Sequence, residues 1–477
     1  MSRNLLVFLL SSSAENLVRL EDILERRRLA AASREYTAIL TAMVDLCANY
    51  RRHYLAHRPT IHRLLEGAQL PRVEELALKT LLRNCINTFL TLHELLLFLP
   101  RESLRKEMQF FAQSLFGPKY SIRDLSIILT SLYNAFEYSL DVAIRRLDVF
   151  MTKVPDAKKL TFGHVMELAI VDRDNPLSWG VLAHEFGHYL DEKHSISSAL
   201  AAQFVTTKIR PPSGAPSGLH KLFRDLASEI FADLTAYYLL GPICVLPVVN
   251  MELDLGLATD KPMPFDRAHP LTITRVTMVE ALAAGDKMRL EFFSPYLEAL
   301  REDDAAKCAQ LGPAEKTERD DIDRYVNYFI DEVKADLLAR LGGLGLRRFG
   351  SVNLQAAVEL KPRLEAGVPI GARRKASEKE VRRKLKTLAG GRNVAESRGV
   401  FDLLREDPAS VAEVVTAGWV AKCEKKSRVL VEAFSHKMEA DVFPYLSKVI
   451  QQQDMLLMKS IEIISVISGE EHDSAGH

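Results

Sequence analysis

Apolar residues recur at helical spacing in the first and last thirds of the chain. In the first third, one stripe with offsets of three and four residues consists of Leu78, Leu81, Leu82, Cys85, Phe89 and Leu92. In the last third, a second stripe with helical offsets consists of Leu446, Val449, Ile450, Leu457, Ile461 and Ile464. Such spacing is typical of amphipathic helices that bury one face. Both ends of the chain are therefore predicted to be helical.

The middle third has a different pattern. Val165–Val171 is short, apolar and followed by a turn-like segment, which predicts a strand. Asn175 is a good helix N-cap with a proline directly after it, so a helix is predicted over 176–194. A second helix is predicted over His220–Leu240, where a Gly-Pro pair ends it. We divide the chain into an N-terminal helical region (1–155), a core (156–300) and a C-terminal helical region (301–477).

Composition narrows the class of protein. The 477 residues are 47% hydrophobic and 26% charged, as in globular proteins. Lys+Arg and Asp+Glu both number 63, and this zero net charge argues against a general nucleic-acid binder. The five cysteines are scattered and include no CxxC pair, which argues against a cysteine zinc site and a disulfide scaffold and favours a reducing compartment. We therefore expect a cytoplasmic protein.

Two further segments bear on location and partners. No uninterrupted apolar run approaches the roughly 18 residues that cross a bilayer, so no membrane span is expected. Leu5–Leu10 is short for a secretion signal and is interpreted as the start of a buried helix. Lys361–Arg392 holds 11 Lys/Arg against 3 Glu. This segment is interpreted as an exposed loop with a solvated helix face, and the alternative is a docking patch for an acidic partner.

The stretch that carries chemistry is an HExxH motif, His184-Glu185-Phe186-Gly187-His188. On a helix, residues four apart lie on the same face, so both imidazoles can reach one metal ion. Glu185 then lies beside a metal-bound water, whose proton it can accept at neutral pH. Gly187 inside the predicted helix indicates close packing against a neighbouring backbone.

A catalytic zinc site needs a third protein ligand. One candidate is Glu229, with Asp233 four residues later on an otherwise apolar helix, where buried carboxylates are costly unless paired or metal-bound. Asp233 would then accept a hydrogen bond from a ligand histidine. The other candidate is His194, at the HExxHxxGxxH spacing of metzincins, although Asp191 occupies the position of the glycine that turns the chain.

A third element lies downstream, where Asp266–Arg275 reads DRAHPLTITR. Near a zinc site, His269 and Arg275 could stabilise the oxyanion of a tetrahedral intermediate. The alternative is a loop histidine and a surface arginine.

HEFGH, SEIFAD and AHPLTITR in this order resemble the gluzincin metallopeptidases, most closely soluble relatives of the CAAX-processing type proteases. Thermolysin shares the first two motifs. The resemblance covers about residues 160–285. It implies zinc bound by His184, His188 and Glu229. Glu185 would be the general base, and Asp233 would accept a hydrogen bond from a ligand histidine. His269 and Arg275 would be downstream catalytic elements.

The expected fold is mainly α-helical, a zincin-like core with a short strand or small sheet, flanked by helical regions. The expected function is a zinc-dependent metallopeptidase that acts on a polypeptide, with no nucleic-acid partner. Two alternatives stay open: an interaction or scaffold protein with an inactive zincin domain, and a zinc hydrolase of a non-peptide amide.

Overall fold

The structure, a computed structural model, describes most of the chain. The described residues are 3–30, 34–96, 105–117, 119–120, 125–130, 164–169, 174–207, 218–247, 249, 272–288, 294–373, 407–434 and 442–467.

These residues form a mainly helical protein, as predicted. In chain order the helices are α1 (Arg3–Ala30), α2 (Arg34–Ala56), α3 (Arg58–Leu65), α4 (Arg72–Leu96), α5 (Lys106–Phe116), α6 (Val181–His194), α7 (Ile196–Thr207), α8 (Gly218–Leu240), α9 (Thr272–Gly285), α10 (Ser294–Ala309), α11 (Pro313–Gly343), α12 (Ser351–Glu365), α13 (Val411–Phe434) and α14 (Val442–Ile467). Two strands, β1 (Leu125–Thr130) and β2 (His164–Ala169), lie between α5 and α6.

Most described members of the predicted apolar stripes are buried, and Val449 on α14 is partly exposed. On α4 the buried members are Leu78, Leu81, Leu82 and Cys85. On α14 they are Leu446, Ile450, Leu457, Ile461 and Ile464. The side chains of Phe89 and Leu92 lie outside the described residues. Leu5–Leu10 lies within α1, where the buried Leu6 and Leu9 confirm that it begins a buried helix.

The two strands pair in parallel, with Leu125 opposite His164 and Thr130 opposite Ala169. The second strand overlaps the predicted strand at Val165–Val171 and packs against α6. A small sheet therefore lies beside the helix that carries the HExxH motif.

The predicted start of the α6 helix is wrong. Instead of beginning at residue 176, the chain makes a 3₁₀ turn at Ser178–Gly180, and α6 begins at Val181. The Asn175 side chain donates to Ser178 Oγ at 2.5 Å. The indole N–H of Trp419 donates to the carbonyl oxygen of Leu177 at 3.0 Å. A tertiary contact from the far end of the chain thus shapes the approach to α6.

One hydrophobic core joins residues from all three predicted regions. The ring of Phe116 on α5 stacks on Phe186 of α6, with centroids 4.0 Å apart. Phe111, also on α5, packs edge-on against Trp179 before α6. The N-terminal helical region therefore supports the HExxH helix through α5.

Among the described residues, one helical segment, Leu226–Pro247, is long and apolar enough to cross a membrane by length and composition. Its apolar window is entirely buried inside the protein, and a buried core helix passes the same test.

All five cysteines lie in the described residues, where none of them forms a disulfide, and three are buried. Residues 374–392 of the basic segment lie outside the described residues, so its role stays a prediction.

Candidate metal centre

The two histidines of the HExxH motif lie on one face of α6, as their spacing predicts. His184 is buried and His188 is partly exposed. Their Nε2 atoms are 3.1 Å apart, so both imidazoles point at the same small volume. Glu185, between them in sequence, is half-buried on the same helix.

Gly187 brings the third candidate ligand close to these histidines. A Cβ atom at this position would lie 2.5 Å from Ala232 Cα and 3.1 Å from Ala232 Cβ on α8. No side chain fits there, so α6 and α8 touch through their backbones. The close packing that Gly187 predicted is confirmed, and it places Glu229, one turn before Ala232, over the two imidazoles.

Glu229 completes a group of three converging donors. Its Oε2 atom lies 3.4 Å from His184 Nε2, and its Oε1 atom lies 3.3 Å from His188 Nε2. Among the described residues, these three side chains form a group that could hold a metal ion. In a tetrahedral zinc site with bonds of about 2.0–2.1 Å, neighbouring ligand atoms are about 3.3 Å apart. The two imidazole nitrogens, and each of them with its nearer Glu229 oxygen, lie at about this distance, and a donor set of two imidazoles and one carboxylate fits zinc chemically.

A second layer of hydrogen bonds orients the imidazoles. Asp233 Oδ1 lies 2.9 Å from His184 Nδ1, which is the contact predicted from the sequence. Ser228 Oγ lies 3.4 Å from His188 Nδ1. Partners of this kind set the ring orientation and leave Nε2 to face the metal. Sequence reasoning missed Ser228, because a serine beside a glutamate carries no spacing signal.

Arg275, on α9, also reaches the site. Its Nη2 donates to Glu229 Oε2 at 2.9 Å, and its Nη1 donates to Asp233 Oδ1 at 3.4 Å. The residue is only 3% exposed. These contacts are with carboxylates, while the oxyanion role expected from the sequence stays a prediction. His269, the other residue of that expectation, lies outside the described residues.

His194 does not join this group. The α6 helix continues through Asp191 to His194, and ten residues of helix span about 15 Å. Asp191 is buried, and its carboxylate accepts hydrogen bonds from the backbone N–H (2.6 Å) and the hydroxyl of Ser197. The chain leaves the helix only at Ser195, which is left-handed (φ 49°). His194 is exposed, so Glu229 is the third donor at this site.

The carboxylates strongly shift the ionisation of the site without metal. Burial lowers the pKa of His184, but hydrogen bonds to Asp233 and Glu229 outweigh it and raise the pKa to about 10. Burial and the neighbouring charge of His184 lower the pKa of His188 to about 4. Burial opposes the charge on Glu229, but the hydrogen bond to His184 and nearby positive charges hold its pKa well below the usual range. In a metal-free site at neutral pH, His184 is therefore the protonated, positively charged imidazole and His188 is neutral.

Comparison of the chain with protein-family models, curated proteins and solved structures finds no match. The functional assignment therefore depends on the geometry and charge of the site.

Proposed function

We propose that this protein is a zinc-dependent metallopeptidase whose zinc ligands are His184, His188 and Glu229. One observation carries the proposal: three donors from two helices converge at the spacing of a tetrahedral site. The carboxylates of Glu229 and Asp233 face one permanent cation, Arg275, so the second negative charge is balanced by a proton on His184 or by a bound metal ion. A buried site of this kind favours an additional cation.

The donor set favours a catalytic site over a structural one. Structural zinc sites are usually closed by four protein ligands, often cysteines, whereas catalytic sites use three and leave one position open. Two histidines and one glutamate match the catalytic set. The fold around the site supports a zincin-like core, since HExxH lies on α6, ExxxD lies on α8 and β2 packs beside α6.

In this proposal the side chains have separate roles. A zinc ion held by these three side chains would supply Lewis-acid chemistry. Glu185 would serve as the general base and acid that accepts a proton from the attacking water and gives one to the leaving amine. Asp233 and Ser228 hold the imidazoles of His184 and His188 in position. Hydrolysis of a non-peptide amide would use the same residues, so the substrate assay includes both classes.

The metal assignment is tested by elemental analysis of the purified protein. We expect about one zinc per chain. His188→Ala should remove it, whereas His194→Ala, which changes an exposed histidine on the same helix, should not. Zinc retained by His188→Ala and lost from His194→Ala would contradict the assignment.

The hydrolase assignment is tested with Glu185→Gln, and exposed Glu192→Gln on the same helix is the control. The protein is incubated with unfolded polypeptides and with small amides, and new termini or free amines are measured. Glu185→Gln should keep zinc and lower the rate by at least about 10²-fold, because a glutamine cannot accept the proton. A rate unchanged in this variant would exclude Glu185 as general base, whereas zinc-loaded wild type that hydrolyses none of the substrates would favour the scaffold alternative.

A further inference from the structure

A groove between α2 and α4, the α2–α4 groove, lies outside the metal centre and has no role in the proposed function. Its volume is about 450 Å³, within the roughly 300–1,000 Å³ that is typical of ligand pockets. One wall includes Tyr50, His53 and His57, and the other includes Val73, Leu76 and Ala77. The N-terminal helical region therefore builds this groove by itself.

The α4 wall of the groove presents two large apolar side chains to solvent. Val73 is 80% exposed and Leu76 is 62% exposed. A single exposed apolar side chain is ordinary on a protein surface. Two of them beside a concave surface form an anchor site of the kind that takes an apolar side chain from a peptide or helix.

Basic side chains follow the same edge of α4. Spacings of four, three and four residues place four side chains on one face of the helix: Arg72, Leu76, Lys79 and Arg83. The acidic residues of the first turn are already paired. Glu74 contacts Arg63, and Glu75 contacts Lys79. Arg72 is exposed and forms no ion pair among the described residues, so this edge of the groove carries a net positive charge.

These features favour one kind of occupant. The apolar wall fits an apolar side chain, and the basic edge attracts carboxylates. A second copy of the chain bound through the same face would place two basic edges opposite each other, because a two-fold interface uses the same surface on both subunits. A membrane surface would require a larger apolar face than two side chains supply.

We propose that the α2–α4 groove docks a segment of another polypeptide in which acidic residues flank an apolar anchor. The anchor packs against Val73 and Leu76, and the acidic residues contact Arg72 and Arg83. This docking does not depend on the proposed metal site, so failure of one leaves the other intact.

The first experiment uses two synthetic amphipathic peptides that share one row of leucines. One carries glutamates beside the leucines, and the other carries glutamines at the same positions. Fluorescence anisotropy with the full chain at low salt should show about 5-fold tighter binding of the glutamate peptide, as expected from two exposed charge contacts. Higher salt should reduce the difference, because it screens exposed charges. Equal binding of the two peptides, or no binding of either, would overturn the proposal.

The second experiment locates the contact with substitutions at exposed positions, which the fold should tolerate. Leu76→Ser and Arg72→Glu should each weaken binding of the glutamate peptide by about 10-fold. Two matched controls should leave the affinity unchanged. Val352→Ser replaces a valine on α12 that is 72% exposed, and Arg52→Glu replaces an exposed arginine on α2 outside the groove lining. Circular dichroism establishes that each variant is folded.

The remaining outcomes contradict the proposal. If the glutamate peptide binds the wild type and both groove variants equally, it docks elsewhere. Sedimentation over a range of protein concentrations tests for a second copy, and vesicles of phosphatidylcholine and phosphatidylserine test for a membrane. If Leu76→Ser abolishes association in either assay while the glutamate peptide does not bind, the groove belongs to that occupant and the proposal is wrong.

Discussion

Two buried clusters of charged side chains differ in one decisive respect. The metal centre consists of His184, His188, Glu229, Asp233 and Arg275. The interhelical ion cluster, which joins α1, α13 and α14, consists of Glu15, Arg19, Lys422 and Asp454. In the ion cluster every charge has an opposite partner, whereas in the metal centre two carboxylates face one permanent cation.

The contacts in the ion cluster show what a balanced arrangement looks like. Arg19 donates twice to Asp454, at 3.0 and 3.2 Å, and Lys422 donates to Glu15 at 2.7 Å. All of these donors are permanently charged at neutral pH, so the cluster needs no further cation. Burial of charge alone is therefore not the mark of a metal site. The metal centre differs in its converging imidazole nitrogens and in having one fewer permanent cation than carboxylates.

Removing one carboxylate from each cluster should affect zinc affinity in the metal centre alone. Glu229→Ala should weaken zinc binding by about 10³-fold, because each of three ligands carries roughly a third of a binding free energy of about 10–16 kcal/mol. Glu15→Ala removes a carboxylate of similar burial and should leave zinc affinity unchanged. Calorimetric titration with zinc measures both. Equal losses in the two variants would mean that the clusters are not functionally distinct.

Breaking the ion cluster should affect stability instead. Asp454→Asn removes the two shorter charge contacts of buried Arg19 and leaves the 3.7 Å contact with Glu15, which should lower the free energy of unfolding by up to about 3–5 kcal/mol. Zinc content should not change. Chemical denaturation measures the loss, and a double variant that replaces Arg19 and Asp454 with apolar residues should recover much of it. Unchanged stability in Asp454→Asn would show that this pair contributes little.

Within the metal centre, Asp233 should have an intermediate effect. Asp233→Asn keeps the shape of the side chain but weakens its hold on His184 Nδ1. An outer partner of a ligand typically contributes 10–100-fold, so zinc affinity should fall by about that factor. Competition with a coloured chelator gives the value. No change in affinity would assign Asp233 to charge pairing with Arg275 alone.

Zinc binding should also release a proton from the site. Without metal, the pKa of His184 is raised to about 10, so this imidazole is protonated at pH 7 and must lose its proton to bind zinc. Titrations in buffers of different ionisation enthalpy should report about one proton released per zinc at pH 7. Zinc affinity should rise with pH, and no release of protons would contradict the assignment of His184.

The raised pKa of His184 also makes the stability of the metal-free protein depend on pH. Because the folded pKa of His184 is raised above the unfolded value of about 6.5, it stabilises the metal-free protein fully below that pH. The contribution is lost as pH rises toward about 10. Zinc-loaded protein should lack this dependence, since its imidazole is neutral throughout.

The periodicity of the chain predicted its helices well, because burying one face of a helix requires apolar residues three and four apart. The same reasoning placed His184 and His188 on one face and paired Glu229 with Asp233. It failed at the start of α6, where local capping signals favoured residue 176. The contact between Trp419 and Leu177 involves residues 242 positions apart, which no local pattern contains.

Local patterns in the chain specify the chemistry available at the site: two imidazoles one helical turn apart, a carboxylate pair with the same spacing, and a glycine between the histidines. The way in which these elements meet depends on the packing of the helices. It placed Ser228 behind His188, directed Arg275 to both carboxylates and left His194 exposed. The physical reason is that spacing along one helix sets which side chains share a face, whereas contacts between helices depend on how their backbones pack.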